Sequence, residues 1–340
     1  YQICKNLIIR LILLMKILLT GGAGYIGSHV VLSLLDKGHY VEVVDDLSTG
    51  NKELLCKDVK FHNCNIGDKE KIGQILNLNT FDILMHFAGF IEVGESVLNP
   101  GKYMENNTKN AINLFETCNK FKLNNIIFSS TAAVYGNPFH NSLITEDEDL
   151  RPINPYGNSK LKTENFLLEN QDRFNSIILR YFNVAGSDKK LRTGLVSKKA
   201  THLIKIISEV ASGKRDKVSI FGKNYNTKDG TAIRDFIHVS DLADIHIESA
   251  KYLLEKKVTN IFNCGYGKGY SVLDVIKKAN KITNNHIKYD FKKRRSGDPE
   301  RLVANVNKLK RHINWYPSNN NLDLIIQSAI DWEKKNEENL

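Results

Sequence analysis

Short apolar runs alternate with longer amphipathic stretches along the chain from Lys16 onward. Buried strands are predicted at six of these runs, which are bounded by polar residues or glycine: KILLT, YVEVVD, VKFHNCN, DILMHFA, NIIFSST and SIILRYFN. Helical patterns lie between them, from Tyr25 to Lys37 and from Lys102 to Phe121. This order predicts an α/β fold in which a doubly wound parallel sheet carries helices on both faces.

The pattern changes after about Asn183, where polar loops become longer and the elements shorter. Further helices are predicted over residues 200–212, 241–255, 271–282 and 322–335, and further strands at KVSIFG and NIFNCG. These pieces are too short and interrupted to form an independent fold. We therefore expect a first domain over residues 15–183 and a smaller mixed α/β substrate lobe over residues 184–340, some of whose segments return to the first domain.

The first fourteen residues contain the apolar run LIIRLILL ahead of Met15. Arg10 interrupts this run, and no small-residue cleavage site separates it from KILLTGG. The run is also too short to span a bilayer. We therefore interpret residues 1–14 as an upstream extension and expect no membrane partner.

Composition and charge narrow the class of protein. The chain has 340 residues, of which 41% are hydrophobic and 25% charged, and this usage excludes disordered and fibrous proteins. The net charge is +10, but the lysines are scattered rather than gathered in a stripe, so we expect no nucleic-acid partner. A positive field would still favour an anionic small-molecule substrate. The five cysteines form no CxxC pair and have no nearby histidine spacing, which indicates buried thiols in a reducing, cytoplasmic setting and no metal site.

A glycine-rich loop follows the first strand. It has the sequence TGGAGYIG, in which Gly21, Gly24 and Gly27 recur at every third position. Glycine permits a tight turn, lets the backbone approach a pyrophosphate, and allows the next helix to pack with its amino terminus toward the phosphates. A strand precedes this loop, a helix follows it, and the next strand ends at Asp45, which favours a Rossmann-type dinucleotide site over a glycine-rich turn without a ligand.

Acidic residues at the end of the second strand set the expected cofactor. Asp45 and Asp46 can accept hydrogen bonds from the adenosine ribose hydroxyls, whereas they would repel a 2′-phosphate. The sequence therefore favours NAD over NADP. Further cofactor contacts, with ordinary packing at strand ends as the alternative, are expected where later strands end: Asn65, Ile66, Phe87, Ala88 and Gly89.

A tyrosine and a lysine in NPYGNSK are candidates for catalysis. Tyr156 and Lys160 are four residues apart, so on a helix they share one face. A nearby cation lowers the pKa of a phenol from its usual value of about 10, which lets a tyrosine act as a general base. The fifth strand ends just before this segment and supplies Ser129, Ser130 and Thr131 as hydroxyls that could hold a substrate oxygen.

These residues belong to a larger set of motifs that resembles the UDP-glucose 4-epimerases, a family of extended short-chain dehydrogenases/reductases. The motifs occur in the order of that family from about Lys16 to the final helix: TGGAGYIG, HFAG, GESV, FSSTAAVYG, NPYGNSK, RYFNVAG, GKRDKVSIFG, DGTAIRDFIHV and RRSGDP. The resemblance implies an NAD-dependent isomerase of a UDP-sugar that forms a homodimer. It assigns NAD binding to residues 15–183 and UDP-sugar binding mainly to residues 184–340.

The resemblance also implies a mechanism. Tyr156 takes the proton of the sugar 4-hydroxyl while a hydride leaves C4 for NAD, Lys160 binds the nicotinamide ribose and lowers the pKa of Tyr156, and Thr131 hydrogen-bonds the 4-oxygen. The 4-keto sugar then turns over, held by its UDP, and the hydride returns to its other face without net oxidation. Further contacts with NAD are implied for Tyr25, Ile26, Asn106 and Phe182.

The same matching implies an anchor for UDP in the second half of the chain, consisting of Asn183, His202, Leu203, Phe221, Arg234, Arg295 and Asp298. Arginine suits a diphosphate because its planar fork donates two hydrogen bonds at once. Surface ion pairs are the alternative role for Arg234 and Arg295, and an ordinary helix position is the alternative for His202.

Two further positions bear on specificity and cofactor contact. In the family, the position of Leu302 faces the C2 substituent of the sugar, where tyrosine restricts the enzyme to glucose and galactose and a small residue admits an N-acetyl group. Leu302 is smaller than tyrosine, so we expect both kinds of substrate, with plain packing as the alternative. Many relatives have lysine where this chain has Ile91, so one contact with the cofactor is expected to be missing.

Other functions are compatible with parts of the sequence. A nucleotide-sugar 4,6-dehydratase would need an Asp and Glu pair after Thr131, where this chain has Ala132 and Ala133. A net dehydrogenase would exchange NADH with solvent. An epimerase of another UDP-sugar, such as UDP-glucuronate, and a module that senses NAD without chemistry are the remaining alternatives, although a sensor has no need for Tyr156 and Lys160 together with Thr131.

Overall fold

A computed structural model describes residues 14–138, 142–197, 200–295 and 298–338. The described residues form the strands β1 (Lys16–Thr20), β2 (Tyr40–Asp45), β3 (Lys60–Asn63), β4 (Ile83–His86), β5 (Asn125–Thr131), β6 (Asn175–Tyr181), β7 (Asn183–Ala185), β8 (Val218–Phe221), β9 (Ile233–His238), β10 (Asn260–Cys264), β11 (Gly269–Ser271), β12 (Tyr289–Lys292) and β13 (Arg301–Leu302). They form the helices α1 (Tyr25–Asp36), α2 (Lys69–Leu78), α3 (Val93–Leu98), α4 (Pro100–Tyr103), α5 (Ala111–Lys120), α6 (Pro155–Glu169), α7 (Leu203–Ala211), α8 (Val239–Lys256), α9 (Val272–Thr283), α10 (Asn307–His312) and α11 (Leu322–Glu338). Residues 1–13, which make up most of the predicted upstream extension, lie outside the described residues.

Seven parallel strands make the central sheet, in the spatial order β3-β2-β1-β4-β5-β6-β10. The predicted α/β class, with a Rossmann-type doubly wound sheet, is confirmed. The chain proceeds toward one edge from β1 to β3 and toward the other edge from β4 to β10, so the order reverses between β1 and β4. Such a reversal leaves a crevice at the carboxyl ends of the strands, where ligands bind. Thr20 and His86, which are cross-strand partners, end β1 and β4 at this crevice.

Both faces of the central sheet are buried. Ile17 and Leu19 of β1 pack into the core on one face, together with Leu242 of α8. Leu18 packs into the core on the other face, together with Leu114 of α5. Full burial of each such side chain contributes roughly 1.5–3 kcal/mol, and this explains why the strands are continuous apolar runs rather than alternating ones.

The second half of the chain builds smaller sheets and also completes the central one. Strand β9 pairs with β7, β11 and β13, and β8 pairs with β12. Strand β10 is an edge strand of the central sheet beside β6, and α8 packs on α1. The second half of the chain therefore contributes both to the central sheet and to the smaller sheets.

The helix predicted over residues 102–121 is wrong in its middle. Met104–Asn110 form a π-helix between α4 and α5. The Thr163 hydroxyl of α6 donates to the carbonyl of Asn107 at 2.8 Å, and the Thr108 hydroxyl donates to the carbonyl of Ser159 at 2.9 Å. These bonds to a neighbouring helix accompany the wider turn, and the apolar spacing of one segment cannot reveal them.

Candidate active site

The glycine loop is built from close backbone approaches. Gly21 has a φ of +74°, and a Cβ added there would lie 2.4 Å from the backbone nitrogen of Ala88. A Cβ on Gly27 would lie 2.2 Å from the carbonyl oxygen of Gly21. Gly24 precedes α1 and has no side chain to cap it, so the first N–H groups of this helix are free to bind an anion. The loop therefore has the form of a phosphate cradle.

Asp45 and Asp46 occupy different environments at the end of β2. The Asp45 carboxylate accepts from the backbone nitrogens of Ala23 at 3.0 Å and Leu47 at 2.9 Å, and burial raises its pKa despite these bonds. The Asp46 carboxylate accepts from the Asn65 amide at 2.8 Å. Burial would raise the pKa of Asp46, but its hydrogen bonds from Ser48 and Asn65 lower it overall. Asp45 thus supports the glycine loop, and Asp46 keeps the charged form that a ribose hydroxyl would meet.

Asn107 connects the loop after β4 to the helix that carries Tyr156. Its side chain accepts from the backbone nitrogen of Phe90 at 2.8 Å, and donates to the Phe90 carbonyl at 2.9 Å and to the Ser159 hydroxyl at 3.2 Å. The neighbouring Asn106 is the residue predicted from the sequence, and its amide donates to Asn107 at 3.1 Å. The π-helix determines which of the two consecutive asparagines faces inward, so the sequence offered no signal to separate them.

The start of α6 positions the tyrosine and the lysine. The Asn154 side chain caps the helix by accepting from the backbone nitrogen of Gly157 at 2.8 Å. Tyr156 therefore lies in the first turn and Lys160 one turn later on the same face. The ring of Tyr156 meets the edge of the buried Tyr103 ring at a centroid distance of 6.5 Å. Tyr103 was missed by the sequence analysis, since nothing in its local pattern marks it.

Lys160 is almost completely buried, with 3% of its surface exposed. Its ammonium donates to the carbonyl of Ser129 at 2.9 Å. Burial lowers the pKa of Lys160 to about 8, and the nearby negative charge of Glu164 acts in the opposite direction. The lysine therefore carries its charge at neutral pH inside the protein.

The pKa of Tyr156 departs from the expectation that Lys160 lowers it. Burial raises the pKa of Tyr156, and a hydrogen bond with Thr131 acts in the opposite direction. Burial dominates because it penalises the phenolate, while the ammonium of Lys160 is directed at the carbonyl of Ser129. The surrounding side chains thus hold Tyr156 as a phenol.

The hydroxyls at the end of β5 point to different sides of the sheet, because side chains alternate along a strand. Ser130 donates to the buried carboxylate of Glu164, so the expectation that it could hold a substrate oxygen is wrong. Thr131 lies on the other face, and its hydroxyl oxygen accepts from the backbone nitrogen of Ala133 at 3.1 Å. Its O–H is consequently oriented away from the turn that follows.

The residues expected to anchor UDP lie on the strands and loops of the second half. Arg234 of β9 forms an ion pair with Asp298. The Arg295 guanidinium lies 3.7 Å from the ring centre of Phe221, the last residue of β8. Arg295 is exposed. A cation stacked on an aromatic ring keeps its hydrogen-bond donors in the plane of the guanidinium for a second partner.

Other residues predicted for the site lie in different parts of the structure. Asn183, His202 and Leu203 line one small cavity together with Tyr25, whose hydroxyl donates to the carbonyl of Gly186 at 2.6 Å. Leu302 stands beside Arg234 in the register of β13 and β9 and packs on the cluster that contains Phe182 and Ala132. Ile66 is buried and packs into the core, and Ile91 is half exposed. Ile26 of α1 packs on the core.

Comparison with known proteins identifies the family. The profile of the NAD dependent epimerase/dehydratase family matches residues 17–265. The chain belongs to this family. A UDP-glucose 4-epimerase of Azospirillum brasilense is 43% identical to this chain, over 96% of this chain and 94% of the relative.

Two solved structures of family members superpose closely. The UDP-Glc/GlcNAc 4-epimerase of Campylobacter jejuni is 44% identical, with a TM-score of 0.82 over 94% of this chain and 99% of that one. A UDP-glucose 4-epimerase of Bifidobacterium longum, solved in complex with NAD+ and UDP, is 34% identical, with a TM-score of 0.90 over 96% of this chain and 100% of that one.

The cofactor predicted from the sequence, NAD, is confirmed by membership of this family. The site fits the cofactor in three respects. The uncapped amino terminus of α1 suits a pyrophosphate, and Asp46 suits a ribose hydroxyl. Lys160 donates one of its N–H bonds to Ser129, which leaves others for the hydroxyls of a second ribose. A Cβ on Gly89 would lie 3.2 Å from the Lys160 nitrogen, so glycine keeps this approach open.

Replacement of Gly21 tests the cradle. Gly21→Ala adds a Cβ to a residue with a positive φ, directly against the backbone of Ala88. We expect the affinity for NAD to fall at least about 10-fold and the free energy of unfolding to fall by roughly 1–3 kcal/mol. Calorimetric titration with NAD and thermal unfolding measure the two effects. Gly94→Ala is the matched control, because no heavy atom lies within 4 Å of the added Cβ; unchanged binding in Gly21→Ala would contradict the assignment.

Proposed function

We propose that this chain is a UDP-glucose 4-epimerase that interconverts UDP-glucose and UDP-galactose. The observation that carries the proposal is the convergence of Tyr156, Lys160 and Thr131 at the carboxyl edge of the sheet, next to the glycine loop. The similarity to epimerases of UDP-sugars over nearly the whole chain supports it. Ala132 and Ala133 are part of the turn after β5 and offer no carboxylate for dehydration.

Residues of the chain handle the proton and the orientation of the sugar. The glycine loop, Asp46 and Lys160 would hold NAD, which would supply a reversible hydride acceptor for C4 of the sugar. Tyr156 accepts the proton of the 4-hydroxyl and later returns it. Thr131 would donate its O–H to the 4-oxygen in place of its hydrogen bond with Tyr156, because its oxygen already accepts from the backbone nitrogen of Ala133. Without NAD, burial holds Tyr156 as a phenol; with NAD bound, the positive nicotinamide and the ammonium of Lys160 would together favour its phenolate.

The second half of the chain would hold UDP while the sugar turns. Arg234 and Arg295 can neutralise the diphosphate, and Phe221 keeps the guanidinium of Arg295 in place. Asp298 orients Arg234 through their ion pair. Anchoring at the nucleotide leaves the sugar free to present either face to the same catalytic residues.

The setting of the enzyme is also proposed. Among the described residues, none of the helices is both long and apolar enough to cross a bilayer. Three of the cysteines, Cys64, Cys118 and Cys264, are buried and free, in keeping with a reducing environment. We propose a cytoplasmic homodimer, for which size-exclusion chromatography with light scattering is the test.

Loss of the phenol tests the assignment of the base. Tyr156→Phe should lower kcat for UDP-galactose by about 10²–10⁴-fold, because it removes the phenol oxygen that would accept the proton. The affinity for UDP should stay nearly unchanged. A coupled assay for UDP-glucose without added reductant and a UDP titration measure the two quantities. Turnover close to wild type would contradict the role of Tyr156.

Loss of the lysine tests the electrostatic argument. Lys160→Ala removes one of the two positive charges expected near Tyr156 in the NAD complex, so the pKa of Tyr156 in that complex should rise and the rising limb of the pH–rate profile should move to higher pH. The wild-type rate should fall above about pH 8, where Lys160 loses its proton, whereas the variant should continue to gain activity. The measurement is kcat/KM against pH for both proteins. Profiles that differ only in scale would rule out this role.

Leu302 is proposed to set the range of substrates. The 44% identical relative of Campylobacter jejuni is a UDP-Glc/GlcNAc 4-epimerase. We expect this chain to accept UDP-galactose and UDP-N-acetylgalactosamine. Leu302→Tyr should lower kcat/KM for the acetylated sugar at least about 10-fold more than for UDP-galactose, because a clash in a packed pocket has no cheap relaxation. Leu302→Met, which conserves side-chain volume, is the control. A wild type that does not convert the acetylated sugar would refute the wider range of substrates. A parallel assay with UDP-glucuronate would reveal an epimerase of a different sugar.

A further inference from the structure

A buried ion pair lies behind the catalytic helix. The side chains of Glu164 on α6 and Arg180 on β6 are 0% and 1% exposed. The Nη2 of Arg180 donates to Glu164 Oε2 at 2.7 Å, and its Nε donates to Glu164 Oε1 at 3.1 Å. Apolar residues of similar volume often replace such a buried pair without loss of stability. The pair therefore calls for an explanation other than stability alone.

The pair joins the catalytic helix to the strand end that carries Thr131. The Ser130 hydroxyl donates to the carboxylate of Glu164. The Nη1 of Arg180 donates to the hydroxyl of Tyr135 at 3.0 Å. Ser130 precedes Thr131 directly, and Tyr135 ends the short turn after it. Hydrogen bonds from both sides of Thr131 thus lead to the same two charged side chains.

Glu164 also acts on the charge of Lys160. It lies four residues after Lys160, so the two side chains share one face of α6 on adjacent turns. Burial lowers the pKa of Lys160 to about 8, and the charge of Glu164 opposes this effect. Without that opposition a buried ammonium would lose its proton nearer to neutral pH.

The other titratable groups around Lys160 carry no negative charge at neutral pH. His86 faces it from β4, and burial together with the Lys160 charge lowers the pKa of His86 to about 3, so the imidazole is neutral. Burial raises the pKa of Tyr156 on α6 and of Tyr181 on β6, so both phenols are protonated. Within the described part of the chain, the carboxylate that stabilises the ammonium is therefore that of Glu164.

We propose that Glu164 and Arg180 are positioning residues that set the charge on the amino group of Lys160 and hold α6 against the strand end that carries Thr131. Glu164 attracts the ammonium of Lys160, and Arg180 limits that attraction. Their separate removal should therefore have opposite effects on Lys160. The catalytic meaning of this pair rests on the proposed function, but the ionisation of Lys160 is measurable without turnover.

An NMR titration of isotope-labelled lysine in the full chain tests the proposal, with the Lys160 signal identified by its loss in Lys160→Met. The wild-type midpoint should lie near pH 8. Glu164→Gln should move it down by about one pH unit, and Arg180→Met should move it up by a similar amount. Glu116→Gln is the matched control, because it removes a carboxylate paired with Arg173 at a distance from the site. This control should leave the midpoint unchanged.

A double variant keeps the test decisive if either single variant fails to fold. Glu164→Gln with Arg180→Met removes both charges and leaves neither one buried without a partner. Its midpoint should lie below that of wild type and above that of Glu164→Gln. The falling limb of kcat/KM against pH should shift in the same order. Equal midpoints in wild type and the double variant would overturn the proposal. If the midpoints shift as expected but the wild type has no epimerase activity, the role of the pair is supported and the proposed function is refuted.

Discussion

The chemistry proposed for this protein depends on a positive charge held almost entirely out of contact with water. Lys160 is almost fully buried, its ammonium is bound to the Ser129 carbonyl, and burial lowers its pKa to about 8. A cation in such a place acts strongly on its surroundings because little solvent screens it. It also costs free energy, which hydrogen bonds and a nearby carboxylate must offset. The carbonyl of Ser129 on β5 accepts the hydrogen bond, and Glu164 on α6, which is paired with Arg180 on β6, supplies the carboxylate.

The alternation of side chains along β5 separates the reacting side of the site from its support. Thr131 faces the crevice, whereas Ser130 faces the carboxylate of Glu164. The same short strand end therefore carries one hydroxyl proposed to bind the substrate and one that is bound to the buried ion pair. The glycine loop reaches this edge from the other side of the reversal in strand order, since β1 and β4 are neighbours. The cofactor cradle and the catalytic helix therefore meet at this edge, where Gly89 approaches the ammonium of Lys160.

The sequence predicted the features that local spacing determines. Buried parallel strands are continuous apolar runs, so the central sheet was predicted correctly. Tyr156 and Lys160 are four residues apart, so a helix is enough to place them on one face. Features that depend on a partner far along the chain were missed. The π-helix needs bonds from Thr163, and the inward side of Asn107 follows from it. Burial raises the pKa of Tyr156, and the ammonium of Lys160 is bound to the Ser129 carbonyl instead; both follow from tertiary packing, which the spacing of the two residues does not reveal.

The fate of the hydrogen on C4 tests the account most directly. UDP-galactose that carries deuterium at C4 should be converted to UDP-glucose in ordinary water with the label still at C4, because the hydride leaves and returns within one site. NMR of the product, without added reductant, is the measurement. Retained label in a product of inverted C4 configuration is the result that the account predicts. Loss of the label to solvent, or accumulation of reduced cofactor with a keto sugar, would contradict it.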